Sequence, residues 1–110
     1  REFDDSIARA SSPIDIHPRN GKPAFYKVLE KSYSIPYRTL ITKEVSNLLT
    51  TGRCISTDQE AHSSLRRMAP GFALGEAAGV AAALSLENKD VRNISITQLQ
   101  TILKSYNCIL

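Results

Sequence analysis

The chain has 110 residues, 42% hydrophobic and 23% charged, the balance of one globular domain and not of a disordered, collagenous or disulfide-dense chain. Its net charge is +3, but the basic residues are scattered and the densest step is only Arg66-Arg67, so no nucleic-acid partner is expected. The longest apolar run, Ala69 to Leu86, is rich in Ala and Gly and interrupted by Glu76; it lacks the bulky apolar density of a bilayer span, so no membrane partner is expected either.

In chain order, residues 1–23 are polar and punctuated by Pro13, Pro18, Gly21 and Pro23, with a short alternating strand at Pro13-Ile14-Asp15-Ile16-His17. Asn20-Gly21 is a turn signal. Residues 24–30 read as a strand, as do residues 37–41 after Pro36 forces an extended approach. Residues 45–51, an apolar run ending at Gly52, read as a central strand. Thr57 with Glu60 matches a capping box and opens a helix over about 58–67. Pro70 stands at a helix start, and a long helix is expected from there to about Leu86. Thr97 with Gln100 is a second capping box, followed by Leu99, Ile102, Leu103 and Tyr106 on one helical face.

Few of these residues carry chemistry alone. Cys54 and Cys108 form no Cys-x-x-Cys pair and have no His at ligand spacing, so no metal is expected, and two idle thiols are the expectation with a disulfide between them as the alternative. Ser63 or Ser64 with His62 and Asp58 has the residue types of a triad, but there is no Gly-x-Ser-x-Gly elbow, and neighbours on one helix rarely hold triad geometry. Gly71, Gly75 and Gly79 fall on one face of the long helix. Each costs about 1 kcal/mol against Ala in a helix interior, so close approach of another segment or a ligand is one expectation and tight packing the other. The start of that helix offers unpaired N–H groups to an anion or a carbonyl oxygen. No Gly-x-Gly-x-x-Gly turn is present, so the chain does not open a dinucleotide site by itself.

Taken together, three segments resemble the FAD-dependent oxidoreductases with a glutathione-reductase-like nucleotide domain. Asn47-Leu48-Leu49-Thr50-Thr51-Gly52-Arg53-Cys54-Ile55-Ser56 resembles the last strand of that domain. Glu60 to Met68 and Ala73 to Leu84 resemble the loop and long helix that follow. Upstream, Ser12 to His17 and Ile35 to Ile41 are similar to segments that precede the strand. One departure is visible: family members commonly carry a Met-Pro step where this chain has Met68-Ala69-Pro70.

The resemblance implies an α/β family fold present here as an α+β fragment. Residues 1–44 would end a substrate (cap) domain in strands and loops, and residues 45–110 would return to the FAD-binding domain as its last strand and C-terminal helices. It places Gly52, Arg53, Ser56, Arg66, Met68, Ala69, Pro70, Gly71 and Gly75 at the FAD isoalloxazine, and makes His17 a candidate catalytic acid or base. The expected partners are FAD in the intact protein and a small-molecule substrate. The absence of an initiator Met at Arg1 and of the upstream dinucleotide half leads to a further expectation, a C-terminal fragment that is inactive alone and self-associates through its apolar helix. The alternative is a small free-standing interaction module that oligomerises through that helix, with Arg53, Arg66 and Arg67 as a partner-binding patch.

Overall fold

A computed structural model describes residues 1–110, the side chain of Asn88 apart. The fold is mixed α+β, with four short strands in two small sheets and three α-helices, as the resemblance implied for an α+β fragment. Strand β1 (Ser6–Ala10) pairs antiparallel with β4 (Tyr33–Pro36), with a bulge between Ser6 and Ala8. Strand β2 (Ile14–Ile16) pairs antiparallel with β3 (Phe25–Lys27). The turn between β2 and β3 is built on Asn20 and Gly21, both at positive φ (52° and 76°), the conformation that a two-residue hairpin turn matched to strand twist requires. The backbone groups of Arg19 and Lys22 bond across its neck.

β1 was not foreseen, because its Ser-Ile-Ala-Arg-Ala sequence has only one strong strand former. Tertiary packing makes it a strand. Ile7, Ala8 and Ala10 are buried, and Arg9 is clamped by a bidentate pair with Glu2 (2.6 and 2.7 Å) and by bonds to Ser32.

Two expected strands are not formed. Residues 37–41 include a 3₁₀ turn, Tyr37–Leu40, and the extended segment lies before it, in β4. Thr39 Oγ1 donates to the Pro36 carbonyl at 2.8 Å and closes the turn, a local side-chain bond that competes with strand pairing. Residues 45–51 run as turns and irregular backbone, with one isolated bridge between Ile41 and Leu49. Asn47 sits at φ 59°, which breaks an extended run, and its Oδ1 accepts from Val91 N. Arg92 Nη2 donates to the carbonyls of Thr42, Lys43 and Val45 (2.9–3.1 Å). Those carbonyls are therefore taken by a side chain and not by a neighbouring strand.

The helices are where expected, but their caps differ. Helix α1 (Gln59–Leu65) starts at Asp58, whose carboxylate accepts from Ala61 N at 2.8 Å; Thr57 is not the cap. Helix α3 (Ile96–Ser105) starts at Ser95, which accepts from Gln98 N; Thr97 is already inside it. Gln100 does not reach back to a cap but donates to the carbonyls of Asp4 and Ser6 (2.8 and 3.0 Å), tying α3 to the start of β1. Helix α2 (Met68–Asn88) begins two residues before Pro70 and stops at Lys89, in the left-handed region at φ 54°.

The core lies between β1–β4 and the two long helices. Leu74, Ala77 and Ala81 of α2, Leu99 and Leu103 of α3, Ile7 and Ile35 of the sheet, and Leu40 are at most 1% exposed. Tyr37 is also buried, and its hydroxyl donates to the Val91 carbonyl at 2.7 Å. The opposite face of α2 is open, with Met68, Phe72 and Leu86 nearly fully exposed. A Cβ added at Gly71, Gly75 or Gly79 would meet nothing within 4 Å, so neither close approach nor tight packing within the chain accounts for these glycines. By length and composition Met68–Glu87 is apolar enough to cross a bilayer, with a mean hydropathy of 1.3. Its inner stripe is nonetheless built into the core.

Candidate functional site

The α1–α2 corner, a 3₁₀ turn and the β2–β3 hairpin meet in one cleft of about 620 Å³. Ser12, Pro13, Tyr26, Arg53, Arg66, Arg67, Met68 and Ala69 line it. The 3₁₀ turn, Gly52–Cys54, enters through Gly52 at φ 64°, a conformation that suits glycine. The turn is pinned from both sides. Arg53 Nε donates to the Arg66 carbonyl at 3.4 Å, and His62 Nε2 donates to the Arg53 carbonyl at 3.3 Å. His62 is thereby a strut. The neighbouring serines are spent on carbonyls as well, Ser63 Oγ on Glu60 and Ser64 Oγ on Ser12, so no nucleophilic triad forms.

Asp15 is the hub of the corner. Arg67 Nη2 donates to its Oδ2 at 3.0 Å, and Arg66 Nη2 donates to the same atom at 3.4 Å and to the Asp15 carbonyl at 3.1 Å. Asp15 N lies 3.2 Å from Ser63 Oγ. Arg66 Nη2 also lies 3.2 Å from His17 Nε2. A guanidinium only donates, so His17 Nε2 is the acceptor and Nδ1 carries the proton in this arrangement. Two cations thus share one carboxylate, and Arg53 has no carboxylate partner among the described residues. The corner carries excess positive charge.

The start of α2 adds to it. The N-cap residue is Arg67, which makes no side-chain cap bond. The N–H groups of Met68 and Ala69 have no partner among the described residues, Pro70 has none to offer, and the first helical bond runs from Gly71 N to the Arg67 carbonyl at 3.3 Å. Such an end bears a partial positive charge.

Of the ten residues singled out by sequence, four line this cleft: Arg53, Arg66, Met68 and Ala69. His17 joins them through Arg66, and Gly52 through the turn that carries Arg53. Pro70 is buried and Gly71 half-buried at the helix start, while Gly75 lies exposed one turn further along. Ser56 is apart. It borders a second, largely apolar cavity of about 460 Å³ with Ile14, Tyr33 and Leu65. In that cavity's wall Tyr33 donates to Ser64 Oγ at 2.8 Å, and burial pushes its hydroxyl pKa above the usual value.

The residues missed as parts of this site were Ser12, Pro13, Tyr26, Arg67 and, as an anchor, Asp15. For Tyr26 the signal was present. Counting outward from Asn20-Gly21 pairs Arg19 with Lys22 and, four steps on, Asp15 with Tyr26.

Neither a curated protein nor a solved structure matches the chain. A family model described as FAD dependent oxidoreductase matches residues 1–103. The match runs through the hairpin, the arginine corner and both long helices. The chain belongs to the FAD dependent oxidoreductase family.

Proposed function

We propose that this chain supplies the isoalloxazine-facing part of a glutathione-reductase-like flavin site. On this reading residues 45–110 return to the FAD domain and residues 1–44 close a substrate domain. The observation that carries it is the uncapped start of α2, where the free N–H groups of Met68 and Ala69 stand among Arg53, Arg66 and Arg67. That donor-rich, positive corner fits an electron-rich ring edge. The same corner has no glycine-rich turn for a pyrophosphate, so the dinucleotide end of the cofactor is assigned to an upstream segment.

FAD, when bound, supplies the redox chemistry. The protein's own part is electrostatic and positional. The helix start and the guanidinium groups favour negative charge in the cleft. Gly52 lets the Arg53 turn lie close, and Pro70 and Gly71 set the helix start. His17 is the candidate proton carrier, with Nε2 turned to Arg66 and Nδ1 as the protonated nitrogen. Ser56 and Gly75 are placed at the cofactor's periphery. The open face of α2, with Phe72 and Leu86 exposed, is the surface through which the chain alone would self-associate, and the chain alone is proposed to be inactive.

The test is a titration of FAD into the chain, first alone and then mixed with the upstream half, read by flavin absorbance and fluorescence. Tight binding confined to the mixture is the expected result. Two folded pieces that leave the flavin signal unchanged would remove the reading.

A further inference from the structure

The apolar cavity of about 460 Å³ shares helix α1 with the arginine corner but not its chemistry. Its size falls in the range of small-molecule pockets, roughly 300–1,000 Å³. Phe3, Ile14, Leu29, Tyr33, Pro36 and Leu65 supply the apolar wall. The hydroxyls in that wall already have partners: Tyr33 donates to Ser64 Oγ, and Ser64 donates on to the Ser12 carbonyl. The start of α1 brings two exposed carboxylates to the rim, Asp58 and Glu60, and neither forms an ion pair among the described residues. Asp58 uses Oδ1 on Ala61 N, which leaves Oδ2 open. Burial raises the Tyr33 hydroxyl pKa most, and the Asp58 charge adds to the rise, so that carboxylate acts on the tyrosine end of the cavity. The one guanidinium on the lining, Arg1, lies over the Phe3 ring at 5.8 Å. The terminal amine of Arg1 acts on Glu2, whose pKa Arg9 chiefly lowers and the amine lowers further. Two carboxylates against one guanidinium make the side-chain charge of this rim negative, in a chain of net charge +3.

We propose that this cavity binds a small organic ammonium compound, with its apolar body against Ile14, Tyr33 and Leu65 and its cationic head at Asp58 and Glu60. An ammonium is a compact cation with three donors, which two exposed carboxylates can share. The Tyr33 ring offers an aromatic face to the body of the ligand, and the aliphatic wall removes the rest of it from water. The same two carboxylates repel an anion, so the cavity and the arginine corner select ligands of opposite charge. The inference stands on the cavity and its rim and does not rest on the flavin reading.

Naphthylmethylammonium is the probe. The full chain, isotopically labelled, is titrated with it and, separately, with the neutral naphthylmethanol and the anionic naphthylacetate, at constant ionic strength. Nuclear magnetic resonance follows the amides of Ile14, Ala61 and Leu65. Saturable shifts there with the ammonium compound are expected, with the alcohol binding at least tenfold more weakly and the anion giving no saturable shift. Asp58→Asn keeps a capping oxygen for α1 while removing its charge. Asp58→Asn and Glu60→Gln should each weaken ammonium binding about threefold, the scale of an exposed charge pair, and leave the alcohol unaffected. Well-dispersed amide spectra show that the fold is kept. Glu87→Gln, at the far end of α2, should change nothing. An alcohol that binds as tightly as the ammonium compound, or binding that ignores both carboxylate variants, would overturn the proposal. Cavity amides that shift with chain concentration in the absence of ligand would overturn it in favour of a second copy. Displacement of the bound probe by the upstream half of the protein would overturn it in favour of an interface between the two pieces.

Discussion

Arg66 and His17 lie 49 residues apart in sequence, yet Arg66 Nη2 stands 3.2 Å from His17 Nε2. That contact joins the last turn of α1 to the end of β2, and the same guanidinium also grips Asp15. The arginine corner is therefore assembled from segments about fifty residues apart in the chain.

Arg66→Ala should destabilise the chain by roughly 1–3 kcal/mol, the range for charge-assisted bonds at a partly exposed site. Arg66→Lys should recover little, because an ammonium cannot span the Ser63 carbonyl, Asp15 and His17 at once. Urea midpoints of the three proteins decide it; an unchanged midpoint for Arg66→Ala would show the strut to be idle.

Tyr37 gives a pH signature. Burial, and then the nearby Asp90 carboxylate, push its hydroxyl from 10.0 up to about 12. Between those values the unfolded tyrosine loses its proton while the folded one keeps it. The stabilisation is complete below about pH 10 and is lost as pH rises through about 12. Tyr37→Phe should remove that part of the alkaline slope. At neutral pH it should cost about 1–2 kcal/mol, because the Val91 carbonyl loses its donor. Denaturant unfolding of both proteins from pH 7 to 11.5 measures the difference, and parallel curves would contradict the assignment.

The caps separate two candidates side by side. Asp58→Ala should cost about 1 kcal/mol, since the Asp58 carboxylate holds Ala61 N. Thr57→Ala should stay within about 0.5 kcal/mol. Thermal melts of the pair are enough, and the reverse order would restore the capping box at Thr57.

Gly75→Ala and Gly79→Ala should each stabilise the chain by about 0.5–1 kcal/mol, because both lie in an exposed helix interior with room for a methyl group. A fall in melting temperature for either would mean that another copy of the chain packs on that face in solution.

Local signals alone determined much of the architecture. Asn20-Gly21 determined the β2–β3 turn and its register, since only a residue tolerant of positive φ serves there and the pairing follows by counting. The 3.6-residue period determined that Leu99 and Leu103 face inward. The ordered motifs pointed to an FAD-dependent oxidoreductase, and the match over residues 1–103 bears out that much. Tertiary structure decided what depends on partners far along the chain. β1 is a strand because β4 and the helices bury it. Residues 45–51 are not one, because Arg92 takes the Val45 carbonyl and Asn47, whose side chain holds Val91 N, turns left-handed. The corner's chemistry was settled in the same way. Arg53, Arg66 and Arg67 are equivalent letters in a sequence, and only the fold shows that Arg66 braces Ser63, Asp15 and His17 while Arg53 bonds the Arg66 carbonyl and Arg67 bonds Asp15. Hydrogen-bond capacity is consumed in three dimensions, so which donors remain free is a property of the fold.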